Sequence, residues 1–465
     1  MPTNRRTPRL RHGGVTAVAM AGATTILAAL PSAPAANVMR RDAAMESTAR
    51  PVPAVSGLVN TRVQLPSPLP TSQCLSSFGI HCYTPAQYRQ AYRLGGLYVG
   101  GITGQGRTIV IVDSFGSPTI RNDLHMFDEH FAIPDASLEI RRFGQIPPFN
   151  PSDPTMVGWA AETTLDVEYA HAIAPGARIV LAETPVAETE GATGFPEMMN
   201  AEQTLINEGV GDVISQSFGA TENTFPGFAK GDYSSLLNLR YAFKNAWAHR
   251  VTVLAASGDF GATDAEQDGQ TLYPFPVNSW PSSDPLVTSV GGAQLSLDNA
   301  GNRVRPDVAW NDGFGASGGG RSAVFLRPPF QSAVRALVGD HRGTPDISMS
   351  AAVDGGCWIY ESFGSSAGWD ILGGTSEATP IFAGVVALAD QLAGRRLGDL
   401  NPALYVLGQL SRSPRIPLDT GITDITMGDN AFAGVGGFAA DAGYDLASGW
   451  GTVDAASFVR AVARL

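Results

Sequence analysis

Gly106-Arg107 leads into Thr108-Ile109-Val110-Ile111-Val112-Asp113, a run that is apolar from Ile109 to Val112 and stops at an acid. Four β-branched aliphatic residues in succession fit a strand buried on both faces better than one with a solvated side. An amphipathic helix is expected after it, over Pro118 to Phe131. Similar pairs recur: Arg178-Ile179-Val180-Leu181-Ala182 before a helix around Phe195 to Glu208, then Asp212-Val213-Ile214-Ser215 before a helix around Ser234 to Ala248, then Val251-Thr252-Val253-Leu254-Ala255. Strands alternating with helices imply an α/β fold, a mostly parallel sheet with helices on both faces. Function in such sheets gathers at the carboxyl ends of strands. Three loops there carry small residues: Asp113-Ser114-Phe115-Gly116, Ser215-Gln216-Ser217-Phe218-Gly219 and Ser257-Gly258-Asp259-Phe260-Gly261.

The chain has 465 residues, enough for one large domain or two to three ordinary ones. Its 53 glycines and 32 prolines are spread between periodic segments, and 44% hydrophobic residues argue for a packed chain rather than a disordered one. The net charge of −12 repels phosphate backbones, so nucleic acid is not an expected partner. Met1 to Ala35 reads as a secretory signal: Arg5, Arg6, Arg9 and Arg11 without an acid, an apolar stretch from Val15 to Leu30, and Ala33-Pro34-Ala35 for cleavage. That stretch is short of the ~20 residues of a full span, and no later segment suits a bilayer. A secreted chain without stable membrane insertion is expected, as a monomer. Residues 36–82 read as a leader or short pro-segment, and 83–465 as the main domain, opened by a short helix with Thr84 as cap and Pro85 at its first position. Three cysteines are too few for a disulfide scaffold. Cys74 and Cys82 close a short loop, and a bridge between them is expected, leaving Cys357 as a buried thiol.

A second stretch carries the chemistry. Gly373-Gly374-Thr375-Ser376-Glu377-Ala378-Thr379-Pro380 precedes an apolar run from Ile381 to Leu388, which places Ser376 where a loop becomes a buried helix. A serine there meets substrate at the positive end of the helix dipole. If the helix starts at Thr375 or Ser376, Pro380 lies near the edge of its first turn. Ala161 to His171 also reads as a helix, with Glu162 and Asp166 four residues apart on one face; neighbouring carboxyls disfavour each other's ionisation and can share a proton. The plainer alternative is a pair of solvated charges on a surface helix. Asp259 follows a buried strand between two glycines, where it starts a turn or, protonated, donates to a developing oxyanion. Gly313-Phe314-Gly315-Ala316-Ser317-Gly318 has the glycine spacing of dinucleotide sites, but no buried strand precedes it and Pro328-Pro329 soon breaks the helix such a site needs, so it is rejected. The seven histidines form no zinc-type pair, and His171 reads as structural.

Taken together, Gly374-Thr375-Ser376 with Pro380, the Glu162/Asp166 helix and Ser257-Gly258-Asp259 resemble the sedolisin family of serine-carboxyl peptidases, which share a subtilisin-like fold. The resemblance runs from about Tyr83 to Leu465 and takes in Arg342-Gly343-Thr344-Pro345-Asp346-Ile347-Ser348 and Gly449-Trp450-Gly451. It implies a peptidase acting on proteins or peptides, in which Ser376 attacks the carbonyl, Glu162 takes its proton, Asp166 holds Glu162 and Asp259 lines the oxyanion hole. It also implies that Ser215 to Gly219 offers a strand edge to the substrate backbone. A carboxylate in place of histidine as base suits work in acid, where histidine stays protonated.

The same resemblance implies one structural calcium ion, held by the side chains of Asp424 and Asp445 and the carbonyls of Ile425, Asp441 and Gly443, an oxygen set that suits a hard cation. Asp441 stands where the family usually has glycine, and Gly373 where it usually has serine. The stretch from Ala36 to about Gln73 is too short for the large folded prodomain usual in the family. Two other readings compete. A subtilisin proper is suggested by Ile111-Val112-Asp113-Ser114, which resembles the strand bearing that family's catalytic aspartate, and by the shared Gly374-Thr375-Ser376, but it needs a histidine in a His-Gly-Thr setting, which this sequence lacks. A secreted binding protein on an inactivated peptidase scaffold is the alternative from another class, and it is disfavoured because all four catalytic positions hold competent residues.

Overall fold

The computed structural model describes residues 65–364, 367–413 and 419–465. The secretory signal assigned to 1–35 and the leader residues 36–64 lie outside the described residues.

The run Thr108–Ser114 forms β1, at the middle of an eight-stranded sheet. The others are β2 (Ser137–Arg142), β3 (Arg178–Thr184), β4 (Val213–Gln216), β5 (Thr252–Ala256), β6 (Thr288–Gln294), β7 (Val308–Ala309) and β8 (Ile347–Ser350). Along the sheet the order is β7-β6-β5-β4-β1-β3-β2, with β8 also paired to β6. Only β7 runs antiparallel to its neighbour.

Alternate residues of the central strands divide between two cores. Ile109, Ile111, Ile179, Leu181, Val213 and Leu254 pack with Leu165, Val385 and Val386 on one face. Val110, Val112, Val180, Ala182, Ile214 and Val253 pack with Phe195, Met198 and Phe243 on the other. The first face is covered by α1 (Pro154–Ile173) and, from later in the chain, α4 (Thr375–Ala393); the second by α2 (Phe195–Asn207) and α3 (Tyr241–His249). This is the expected α/β architecture, with two adjustments. The helix read over Ser234 to Ala248 breaks into Ser234–Leu237, a 3-10 turn at Asn238–Arg240, and α3. Two strands carry no clear pattern in the sequence: β6 has Gly291-Gly292 at its centre, and β8 is short and polar.

Residues 65–82, counted with the leader on sequence, pack on the domain. Thr71–Phe78 is a helix, Cys74 and Cys82 are bridged with a Cα–Cα distance of 5.9 Å, and Cys82–Tyr83 pairs in parallel with Gly356-Cys357. Cys357 is a free, buried thiol as expected. The Thr84 cap and Pro85 are also as expected, in a helix over Pro85–Ala91 with a reciprocal capping box to Gln87. No helix among the described residues is long and apolar enough to cross a membrane.

Candidate active site

Ser376 is the second residue of α4, and the turn before it depends on two glycines. Gly374 has φ +133°, a region L side chains rarely adopt, and a Cβ on Gly373 would lie 2.9 Å from Ala351 O and Val353 N. From Thr375 to Asp390 every residue of α4 is buried, so packing on all sides fixes the helix and its first turn.

The second helix, α1, is buried without a break from Trp159 to Ile173. That removes the surface-helix alternative for Glu162 and Asp166, both of which are fully buried. Gly384 sets the spacing between the helices: a Cβ there would fall 2.6 Å from Ile173 Cβ. The two backbones approach closely because that side chain is absent, and the approach brings the face bearing Glu162 against the start of α4.

Pro380 lies inside α4 rather than at the edge of its first turn. Its missing N–H is the one that would bond to the carbonyl four residues back, that of Ser376. Ser217 Oγ lies 3.5 Å from this carbonyl and donates its single proton to Asp166 Oδ1 at 2.8 Å. Ser217 therefore joins the strand-end loop after β4 to both helices. The sequence marked that loop by its small residues, but nothing in it singled out this hydroxyl.

Asp259 connects the loop after β5 to the same point. Its Oδ1 accepts the Thr375 N–H at 2.7 Å and the Thr375 hydroxyl at 2.8 Å, while the Gly258 N–H donates to Thr375 Oγ1 at 3.1 Å. The carboxyl thus caps the first amide of α4 next to Ser376.

Burial is the main cause of the electrostatics. It pushes both Glu162 and Asp166 well above the usual carboxylate range, and nearby carboxyls add to the shift. The Ser376 and Ser217 hydroxyls face Glu162 closely enough to favour its ionised form against burial. None of these contacts has the geometry of a hydrogen bond, since Ser376 Oγ and both Glu162 oxygens are buried and unbonded. Such contacts are often loose before substrate arrives and tighten in its presence.

A third carboxyl of this group was read from the sequence as a strand end, and through its likeness to the strand bearing the catalytic aspartate of the subtilisins, but not as a partner of Glu162 and Asp166. Asp113, fully buried at the end of β1, raises both Glu162 and Asp166 and is itself pushed up to about 7, mainly by burial. Its position as an acid closing a buried parallel strand was the available signal. The three carboxyls titrate as a group rather than one by one. Asp113→Asn takes one carboxyl out of the coupled group and leaves Glu162 and Asp166 easier to ionise, so the acid limb of any activity that depends on Glu162 should move to lower pH. A pH–rate profile checks this, and an unmoved limb would contradict it.

Near the carboxyl terminus, Asp424 Oδ2 accepts the Gly443 N–H at 2.8 Å and pairs with Arg412 at 3.0 Å. Asp445 is buried and pushed up to about 6, mainly by burial, although its oxygens accept the amides of Asp441, Ala447 and Ser448. The carbonyls of Ile425, Asp441 and Gly443 accept no hydrogen bond among the described residues. Two carboxyls and three open carbonyls in one loop region suit a hard cation. No group of three or more His, Cys, Asp or Glu arranged to hold a metal occurs among the described residues.

Residues 155–402 match the subtilase family. The chain is similar to kumamolisin from Bacillus sp. (strain MN-32), with 32% identity over 389 residues, covering 80% of this chain and 62% of that protein. It is also similar to sedolisin from Pseudomonas sp. (strain 101), with 32% identity over 272 residues, covering 57% of this chain and 43% of that protein. Tripeptidyl-peptidase 1 from Mus musculus is 28% identical over 436 residues, covering 86% of this chain and 68% of its own. Among solved structures, Pseudomonas sedolisin, a serine-carboxyl proteinase complexed with two molecules of pseudo-iodotyrostatin, matches with a TM-score of 0.68 and 27% identity, over 82% of this chain and 98% of that one. The chain thus spans less than two thirds of the length of kumamolisin and of sedolisin.

Proposed function

Because this chain belongs to the subtilase family, on its sedolisin branch, we propose that it is a secreted, acid-active serine-type peptidase that cuts peptide bonds with Ser376, Glu162, Asp166 and Asp259. The observation that carries this reading is the convergence on the first turn of α4: Ser376 faces Glu162, and Asp259 binds the amide beside it. Ser376 Oγ attacks the substrate carbonyl carbon as its proton passes to Glu162. Asp166, fixed by Ser217, stands one helical turn away and shares the charge of the pair. The proton on Glu162 then goes to the leaving amine, and water repeats the sequence on the acyl-enzyme.

Asp259 uses Oδ1 to accept from Thr375, so a proton donated to the oxyanion comes from Oδ2. Asp259→Asn keeps a donor without a titrating proton. It should retain activity and carry the alkaline limb of the rate profile upward, whereas Asp259→Ala should lose about 10²–10³-fold in kcat. An alkaline limb unchanged in Asp259→Asn would show the role to be wrong.

One calcium ion is proposed at the loop of Asp424, Ile425, Asp441, Gly443 and Asp445. Bound there, it would supply positive charge that ties the loop together without entering the reaction. Arg412 would have to leave Asp424 to admit it. A ligand that binds only the folded chain stabilises it by about 2.7 kcal/mol at a hundred times its Kd, so chelation should lower the Tm. An unchanged melting curve, with no calcium by elemental analysis, would remove the ion from the scheme.

Peptide substrates, secretion through residues 1–35 and a monomeric state complete the proposal. Incubating the secreted chain with a peptide library at acidic and neutral pH tests it as a whole. Cleavage confined to acid supports it, and an uncut library contradicts it.

A further inference from the structure

A cavity of about 290 Å³ opens at the carboxyl ends of β1, β2 and β3. Phe115 from the loop after β1, with Ile146 and Phe149 from the stretch after β2, gives it apolar walls. Phe149 is held edge-on to Phe363, ring centroids 5.9 Å apart. Phe115 has φ +64°, a left-handed backbone that a bulky residue adopts only under strain, and such strain gathers at functional sites.

The sheet ties this cavity to the catalytic group. Phe115 stands two residues after Asp113, and Glu183, which also lines the cavity, lies opposite Asp113 in the register of β1 and β3. Neighbouring strands are about 4.8 Å apart and two residues span at most about 7 Å. The cavity therefore begins within a side chain's length of the carboxyl that acts on Glu162, which Ser376 faces. An extended peptide advances about 3.3 Å per residue. One whose carbonyl lies at Ser376 reaches the cavity with a residue about two to four places from the bond that is cut.

Two polar groups on the wall are left open. Ser117 is 4% exposed, and its buried Oγ has no hydrogen-bond partner. Glu183 accepts Arg142 Nε on Oε2 at 2.8 Å, while its Oε1 accepts no hydrogen bond among the described residues. A Cβ on Gly116 would collide with this carboxyl, so the absent side chain leaves Glu183 its place. Arg142 already answers the charge of Glu183, so the matching ligand group is a neutral hydroxyl rather than a cation. The volume falls just below the about 300–1,000 Å³ of sites for drug-sized ligands and suits one side chain. An aromatic ring between Phe115, Ile146 and Phe149, with a hydroxyl that donates to Glu183 Oε1 and accepts from Ser117 Oγ, meets both demands.

We infer that this cavity is a subsite for a tyrosine side chain of the peptide substrate. The inference rests on the peptidase reading for its substrate.

Two measurements separate the subsite from the chemistry. In the first, Ser376→Ala chain is titrated by NMR with N-acetyl-tyrosine methylamide and with N-acetyl-phenylalanine methylamide. The tyrosine compound should bind roughly five-fold more tightly, and the difference should vanish when Ser117→Ala is added. Equal binding, or a difference that survives Ser117→Ala, would overturn the inference whether or not the enzyme turns over. In the second, wild-type chain cleaves peptides in which tyrosine, phenylalanine and alanine are moved through the positions around the bond. At one position about two to four residues from it, kcat/KM for tyrosine should exceed phenylalanine by roughly five-fold and alanine by roughly ten-fold or more. Ser117→Ala should erase the first difference and leave the alanine peptide unchanged. Phe115→Gly, which places glycine at a φ it adopts freely, should keep the fold and erase the advantage of both aromatic residues. Cleavage without a tyrosine preference at any of those positions would overturn the subsite alone. Peptides left uncut, with the binding difference intact, would overturn the peptidase reading and leave the cavity its ligand.

Discussion

Ser376→Ala should abolish peptidase activity, with kcat falling on the order of 10⁶-fold, as expected when the nucleophile of a set that acts as a unit is removed. The protein should stay folded. Ser376 Oγ is buried without a hydrogen-bond partner, and relieving an unsatisfied buried hydroxyl is worth about 1–3 kcal/mol. The variant should therefore melt at or above the wild-type temperature, which separates loss of chemistry from loss of fold. Retained turnover would eliminate Ser376 as nucleophile, and a collapsed Tm would show that its hydroxyl holds the turn together.

The second large effect is on stability against pH. Asp113 and Asp390 are pushed up to about 7, and Glu202 and Glu377 to about 8, in each case mainly by burial. Below about pH 4 these carboxyls are protonated in both folded and unfolded chains. Above it the unfolded chain ionises while the fold keeps its protons, so each group takes away about 1.4 kcal/mol per pH unit until its folded value is reached. Stability should be greatest in acid and fall steadily from about pH 4 to about pH 8. The Tm should drop on the order of 10 °C or more over that window. Glu377, next to the nucleophile and buried among Tyr88, Ser350 and Cys357, offers a control: Glu377→Gln should flatten the curve. A Tm that is level or rises toward neutral pH would contradict the prediction.

Elements whose signal is local were legible in the sequence. β1 announces itself because Ile109 to Val112 are buried on alternating faces, and the helix after Thr84 because cap and proline sit side by side. β6 was not legible. Gly291 and Gly292 stand where strand formers are expected because side chains there would strike Pro345 and Trp310, so distant residues decide the composition. The site divides in the same way. Ser376, Glu162, Asp166 and Asp259 lie in motifs, and the structure brings them to one helix start. The hydroxyl of Ser217 and the carboxyl of Asp113 act only through contacts made across loops far apart in the chain, to which spacing along the sequence is blind. The cores on the two faces of the sheet also explain why the lone Glu162/Asp166 pair was ambiguous: its exposure depends on α4, which lies some two hundred residues further on.

The most direct test of a carboxyl-based serine mechanism is the pH dependence of kcat/KM for wild-type enzyme on a peptide it cleaves, taken from initial rates before the chain unfolds. With ionised Glu162 as base setting the acid limb and protonated Asp259 as oxyanion donor setting the alkaline one, the maximum should lie in acid and activity should be lost toward neutral pH as Asp259 ionises. A maximum at neutral or alkaline pH would contradict the assignment of Glu162, Asp166 and Asp259.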